Sequence, residues 1–101
     1  MSKRDLDRDR RLVRKYNLSL VELKELLDRQ QGLCLICEND ITGTVEHRDG
    51  KIAPAAHVDH DHKTGEIRGL LCGPCNSGLG MFKDDPRIVA KAFVYLQDRQ
   101  K

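Results

Sequence analysis

Two C-x-x-C pairs constrain this chain more than any other feature. Cys34 and Cys37 form one pair, Cys72 and Cys75 the other, with 34 residues between the pairs and no cysteine left over. Two residues between thiols let both sulfurs reach a single ion, and two such pairs complete a tetrahedral shell. A fold that uses this pattern must carry residues 34–37 against residues 72–75. Two disulfides are the competing reading. No secretory signal is visible and no apolar run approaches about 18 residues, which argues for a soluble cytoplasmic chain with reduced thiols. Structural Zn2+ is therefore the preferred reading, and four thiolates would close its shell to substrate.

The need for such a staple follows from size. The chain has 101 residues, with two Tyr, two Phe and no Trp, so one small domain with a modest apolar core is expected. Domains of this size often depend on a metal for stability. The charged fraction of 34% is high, but leucines recur at helical spacing, which argues against disorder. Net charge is only +2, yet residues 1–15 hold seven Lys/Arg against three Asp. As a helix, this segment places Arg4, Arg8, Arg11 and Lys15 on one face, suited to a phosphate backbone, with Asp residues able to pair three or four positions on. A solvated terminus is the alternative.

Further along, Ser19 and Glu22 form a capping box for a helix whose face of Leu20, Leu23, Leu26 and Leu27 suits the core. Gly32 is placed to end it in a left-handed turn. After the first thiol pair, Thr44–His47 and Lys51–Ala53 fit a hairpin turning at Arg48-Asp49-Gly50. Residues 55–60 and 66–71 read as two strands joined at Lys63-Thr64-Gly65. Pro74 suits the first position of a short helix over Cys75–Lys83. Asp85 and Pro86 start a last helix, whose face of Ile88, Val89, Ala92, Phe93 and Leu96 is expected to pack in the core. The tail Asp98–Lys101 is expected to fray.

Between the two pairs lies an unbroken run of Asp59, His60, Asp61 and His62, and Asn76 directly follows Cys75. Carboxylate and amide oxygens suit a hard divalent ion. A neutral imidazole suits proton abstraction near neutral pH. Phosphodiester hydrolysis needs both a base for water and positive charge on the phosphate. A metal held by Cys75 would also pin Asn76. Each residue has a plain alternative: His57 and His62 as loop residues, Asn76 as a helix-start partner, Arg68 as a solvated strand residue.

The block VDHDHKTGEIRGLLCGPCNSGLGMFKDD, with both C-x-x-C pairs, resembles the recombination endonuclease VII family of phage-type nucleases. That family belongs to the HNH, or His-Me finger, superfamily. The resemblance runs from about Tyr16 to Leu96 and is strongest over residues 57–85. It implies an α+β fold: a small ββα-metal core with a structural zinc, flanked by N-terminal and C-terminal helices. Residues 1–15 would be a basic arm or helix, and residues 16–101 the zinc-stapled nuclease domain. By the same resemblance His60 is the general base, Asp59 and Asn76 hold a catalytic Mg2+ or Mn2+, and His62 lies near the scissile phosphate. Products would carry a 5′-phosphate and a 3′-hydroxyl. DNA would be the substrate, contacted by Arg68, Arg4, Arg8 and Arg11. The family's founding enzyme has a further C-terminal part for dimerisation and junction binding. Since this chain ends soon after the shared block, nicking or double-strand cleavage is expected alongside branched-DNA cleavage. A homodimer or a phage-encoded partner stays open. The alternative function is a non-catalytic zinc module that binds DNA or protein.

Overall fold

The computed structural model describes residues 2–99, and within them eight elements follow in order. They are α1 (Lys3–Tyr16), α2 (Leu20–Arg29), β1 (Thr44–Glu46), β2 (Ile52–Pro54), β3 (His57–His60), β4 (Ile67–Leu71), α3 (Gly73–Met81) and α4 (Pro86–Arg99). Two antiparallel pairs, β1–β2 and β3–β4, form two separate sheets. The β3–β4 hairpin runs directly into α3, giving a ββα unit.

Helix boundaries follow local chemistry. Ser2 caps α1 by accepting from the Asp5 N–H at 3.1 Å, and Asn17 ends it in the left-handed conformation. Asn tolerates that region better than most residues. The expected capping box opens α2: the Glu22 N–H donates to Ser19 Oγ, and Glu22 reaches back to the Ser19 N–H. A second anchor was not legible in the sequence. Asp9 of α1 accepts from the Leu20 N–H, one of the orphan donors of the α2 N-terminus. The pairing of α1 Asp residues with nearby Arg does not form within 4.0 Å among the described residues. Exposed pairs of that kind gain too little to fix two long side chains.

The buried core comprises Leu18, Leu20, Leu23, Cys34, Ile41, Leu70 and Leu71, with Leu12, Tyr16, Leu26, Leu27 and Val58 packed against it. Helix α2 thus buries the face that its leucine spacing predicts. It stops at Arg29, earlier than expected, and the chain then turns through two left-handed residues, Gln31 and Gly32. Gly32 tolerates no side chain, since a Cβ there would overlap Thr42 Cγ2.

Gln30, at the end of α2, joins distant parts of the chain. Its amide nitrogen donates to the carbonyls of Leu33 and Leu70, both at 2.9 Å, and its oxygen accepts from the Leu70 N–H at 2.9 Å. Both backbone groups of a fully buried β4 residue are therefore satisfied by one side chain. The Leu35 N–H also donates to the Leu70 carbonyl. At the neighbouring position, a Cβ on Gly69 would overlap Leu35 Cδ1, so the first thiol loop lies flush on β4.

Two expectations need correction. Helix α3 begins at Gly73 rather than Cys75, with Cys72 as its cap and Pro74 inside the first turn. The cap forms because Cys72 Sγ accepts from the Cys75 N–H at 3.4 Å. Helix α4 does begin at Pro86, with Asp85 accepting from the Arg87 N–H, but it is not a core helix. None of its residues is buried, and Phe93 and Leu96 are 63% and 59% exposed. The buried core is formed without α4, and of the apolar face that periodicity identified only Val89 and Ala92 are half-buried while Ile88, Phe93 and Leu96 are exposed. Of the tail expected to fray, Asp98 and Arg99 lie in α4, whereas Gln100 and Lys101 are outside the described residues.

Replacing Gln30 with Ala should lower unfolding free energy by about 2 kcal/mol, because it strips partners from buried backbone groups. Urea denaturation of metal-loaded protein measures this. A change within experimental error would mean that water replaces the amide at Leu70.

Candidate active site

The thiols fix the frame. Their four sulfurs lie within 4.8 Å of one another, with Cys37 and Cys72 Sγ at 3.6 Å. A tetrahedral ion with bonds of about 2.3 Å places its sulfurs about 3.8 Å apart, so the spacing fits one thiolate-bound metal. All four thiols are free and form one cluster instead of two bonded pairs. The two loops are built alike. The Ile36 N–H donates to Cys34 Sγ and the Cys75 N–H to Cys72 Sγ, both at 3.4 Å.

The thiols differ in how readily they ionise. Burial opposes ionisation of Cys34, but backbone N–H groups around it outweigh that and bring the thiol down to about 6. Cys75 is pushed up to about 12 by burial and by its neighbouring thiols. At Cys37 a backbone N–H favours the thiolate, but desolvation and the adjacent thiols raise it overall. Ionisation is thus favoured at Cys34 and opposed at Cys37 and Cys75, and like charges brought this close oppose one another unless a cation joins them.

The second group of residues lies beside a β-bulge. On the β3–β4 pair, Asp59 faces Gly69 and His60 faces Ile67, so Arg68 has no cross-strand partner. Strict alternation would send Asp59 and His60 to opposite faces. The extra residue of the bulge lies on β4, and His60 is the last residue of β3, where the chain leaves the sheet. Asp59, His60, His62 and Asn76 all line one cavity of about 230 Å³, together with Tyr16, Val58, Leu79, Gly80 and Asp84. Asn76 arrives from the first turns of α3, where its N–H donates to the Cys72 carbonyl at 3.0 Å. Its position is thus set by the residues that carry the thiols.

Asp61 turns away to close the hairpin. Its carboxylate accepts from the Lys63 and Thr64 N–H groups, which holds it below the usual carboxylate range. Arg68 is committed to carboxylates as well. Its Nε donates to Asp59 Oδ2 at 2.8 Å, and its Nη2 to Asp59 Oδ1 at 2.9 Å and Asp84 Oδ1 at 2.8 Å. His62 and Asp84 are shared with a wider cleft of about 880 Å³ lined by Arg68, Lys63, Lys83 and Arg87. On the other side, Arg8, Arg11 and Lys15 of α1 line a groove of about 340 Å³ with His57 and Val58. Tyr16 and Val58 border both that groove and the smaller cavity. Arg4 is exposed and lines none of these spaces.

Sequence reasoning missed two contributors. Tyr16, the last residue of α1, sets its ring 5.3 Å from that of His60, whose ring lies 4.8 Å from His62. Nothing local marks this tyrosine, since the contact joins positions 44 apart in sequence. Asp84 was likewise unmarked within the Lys83-Asp84-Asp85 run.

A ββα unit braced by a four-thiol cluster defines the structural class, and comparison with known proteins gives the family. The profile of the recombination endonuclease VII family matches residues 9–98, and the chain belongs to that family. The Gene 59 protein of Mycobacterium phage D29 is 35% identical over 88 residues, covering 86% of this chain and 48% of that protein. The Gene 59 protein of Mycobacterium phage L5 is 36% identical over 87 residues, with 85% and 48% covered. The chain therefore spans about half the length of these relatives. The crystal structure of the ββα-Me type II restriction endonuclease Hpy99I aligns with a TM-score of 0.44 and 25% identity, covering 76% of this chain and 49% of that one. Among the described residues, no helix is long and apolar enough to cross a membrane.

The thiol cluster should take up Zn2+ more tightly as pH rises. At neutral pH, Cys37 and Cys75 carry protons that the ion must displace, whereas Cys34 is already largely ionised. Competition with a chromophoric chelator between about pH 6.5 and 8 should show affinity rising about a hundredfold per unit or more. A flat profile would mean that fewer thiols bind.

Proposed function

We propose that this chain is a metal-dependent DNA endonuclease that hydrolyses phosphodiester bonds, with Zn2+ on Cys34, Cys37, Cys72 and Cys75 and Mg2+ or Mn2+ on Asp59 and Asn76. The observation that carries this reading is the convergence of Asp59, His60, His62 and Asn76 on one cavity beside the thiol cluster. Family membership supports nuclease chemistry.

In this reading His60 takes a proton from the attacking water. The water oxygen bonds to phosphorus while the bond to the 3′ oxygen breaks, leaving a 5′-phosphate and a 3′-hydroxyl. A hard divalent ion, when bound, supplies charge stabilisation to the phosphate and the leaving oxygen. Tyr16 packs beside His60 and limits the swing of its ring. His62, on the same cavity and exposed, is placed to meet the phosphate. The groove of Arg8, Arg11 and Lys15 supplies a track for the DNA backbone that reaches the site past Tyr16. Phosphate contacts of this kind position the duplex without reading its sequence.

The decisive measurement is nicking of supercoiled plasmid by zinc-matched wild type and His60→Ala. The substitution should slow cleavage by about 10² to 10⁴, the usual worth of a positioned acid–base group, with zinc content and DNA affinity unchanged. Equal rates would move the base elsewhere, with His62 the first alternative. Absence of metal-dependent cleavage on plasmid and branched DNA would favour a non-catalytic zinc module.

The groove makes a separate prediction. Changing Arg8, Arg11 and Lys15 together to Gln should weaken DNA binding and reduce its slope against log salt by up to about three. An unchanged slope would remove α1 from the interface.

A further inference from the structure

Arg68 is the residue that the β4 bulge leaves without a cross-strand partner. Bulges re-aim side chains, and this one aims a guanidinium at Asp59. Two of its nitrogens engage the two Asp59 oxygens, one each, at 2.8 and 2.9 Å. This fork fixes the rotation of the carboxylate and still leaves lone pairs on both oxygens. Asp59 is only 13% exposed, so little solvent competes for those positions.

The same Arg68 Nη2 also donates to Asp84 Oδ1 at 2.8 Å. Asp84 comes from the short connection between α3 and α4 and reaches this spot through an uncommon backbone. Lys83 and Asp84 both have φ of 57°, two consecutive left-handed residues without a glycine. Each such residue costs about 1 kcal/mol or more, and persists where surrounding structure holds it. Here the Lys83 N–H donates to the Gly80 carbonyl and the Asp84 N–H to the Leu79 carbonyl, at 2.9 and 2.8 Å. Charge supplies the reason for a second carboxylate. Arg68 alone would neutralise Asp59 and repel a divalent ion; with Asp84 the trio keeps a net negative charge. Arg68 accordingly holds Asp84 below the usual carboxylate range.

We propose that Asp84 is a positioning residue for the catalytic centre, anchoring Arg68 so that Asp59 is held and charged to receive the divalent ion. This rests on the reading of Asp59 as a ligand of that ion.

The test is Mn2+ binding to zinc-loaded full-length protein, read by the paramagnetic resonance of free Mn2+ alongside thermal melting and plasmid nicking. Asp84→Asn suits it, since Asn tolerates the left-handed conformation and removes only the charge. It should weaken Mn2+ binding about tenfold, the usual effect of losing a partner of a metal ligand, and shift the Mn2+ dependence of nicking to higher concentration by the same factor. Arg68→Lys, which gives up the fork, should weaken binding similarly, and the double variant should be no worse than either single one. A lowered melting temperature with unchanged Mn2+ affinity would overturn the proposal in favour of a structural role. An equal further loss from Asp84→Asn in the Arg68→Lys background would overturn it too, because Asp84 would then act on the ion directly. Asp59→Asn separates this proposal from the reading beneath it. If that variant binds Mn2+ as wild type does, Asp59 is no ligand and both fall. If it abolishes binding while Asp84→Asn has no effect, only the role of Asp84 falls.

Discussion

Four sulfur atoms within 4.8 Å of one another hold the two halves of this chain in register. The first pair follows α2 and the second opens α3, so one cluster ties the leucine-rich helix to the ββα unit. Local interactions then fill in between. Leu35, inside the first pair, hydrogen-bonds to β4, and Gln30 takes both backbone groups of Leu70. A core of only seven buried residues is small for 101 residues, which is why a cross-link of this kind matters.

The chemistry hangs on that frame where β3 ends. A regular β3–β4 pair would divide Asp59 from His60. Both nonetheless border the cavity that Asn76 enters from α3, one residue after Cys75, with His60 at the end of β3. Helix α1 completes the wall with Tyr16, so the segment that carries the basic groove also contacts the imidazole. The proposed track for a phosphate backbone and the residue packed against the proposed base thus share one helix.

Much of this was legible from residues alone. The thiol spacing, the Ser19–Glu22 box, the leucine face of α2 and the Asp85-Pro86 start all act within a few positions, where local chemistry decides the outcome. What escaped depends on distant partners. The bulge at Arg68 is defined by pairing across a strand, the Gln30 clamp by a contact 40 positions away, and the Tyr16–His60 contact by the packing of α1. Helix α4 failed for a different reason. Its periodicity correctly marks an apolar face, but periodicity says nothing about what covers it. The run Asp59–His62 was read as one functional cluster, yet Asp61 serves the turn, because its neighbours' N–H groups need an acceptor there.

The fit of Leu35 over Gly69 has a consequence for how this chain tolerates change. No side chain larger than hydrogen can be added at position 69 without moving Leu35, which directly follows Cys34 and stands two residues before Cys37. A methyl group placed there would press on the end of the Leu35 side chain, where the first thiol loop lies against β4. Position 69 therefore lies where the first thiol loop meets the strand position paired with Asp59, and a substitution there acts on their alignment.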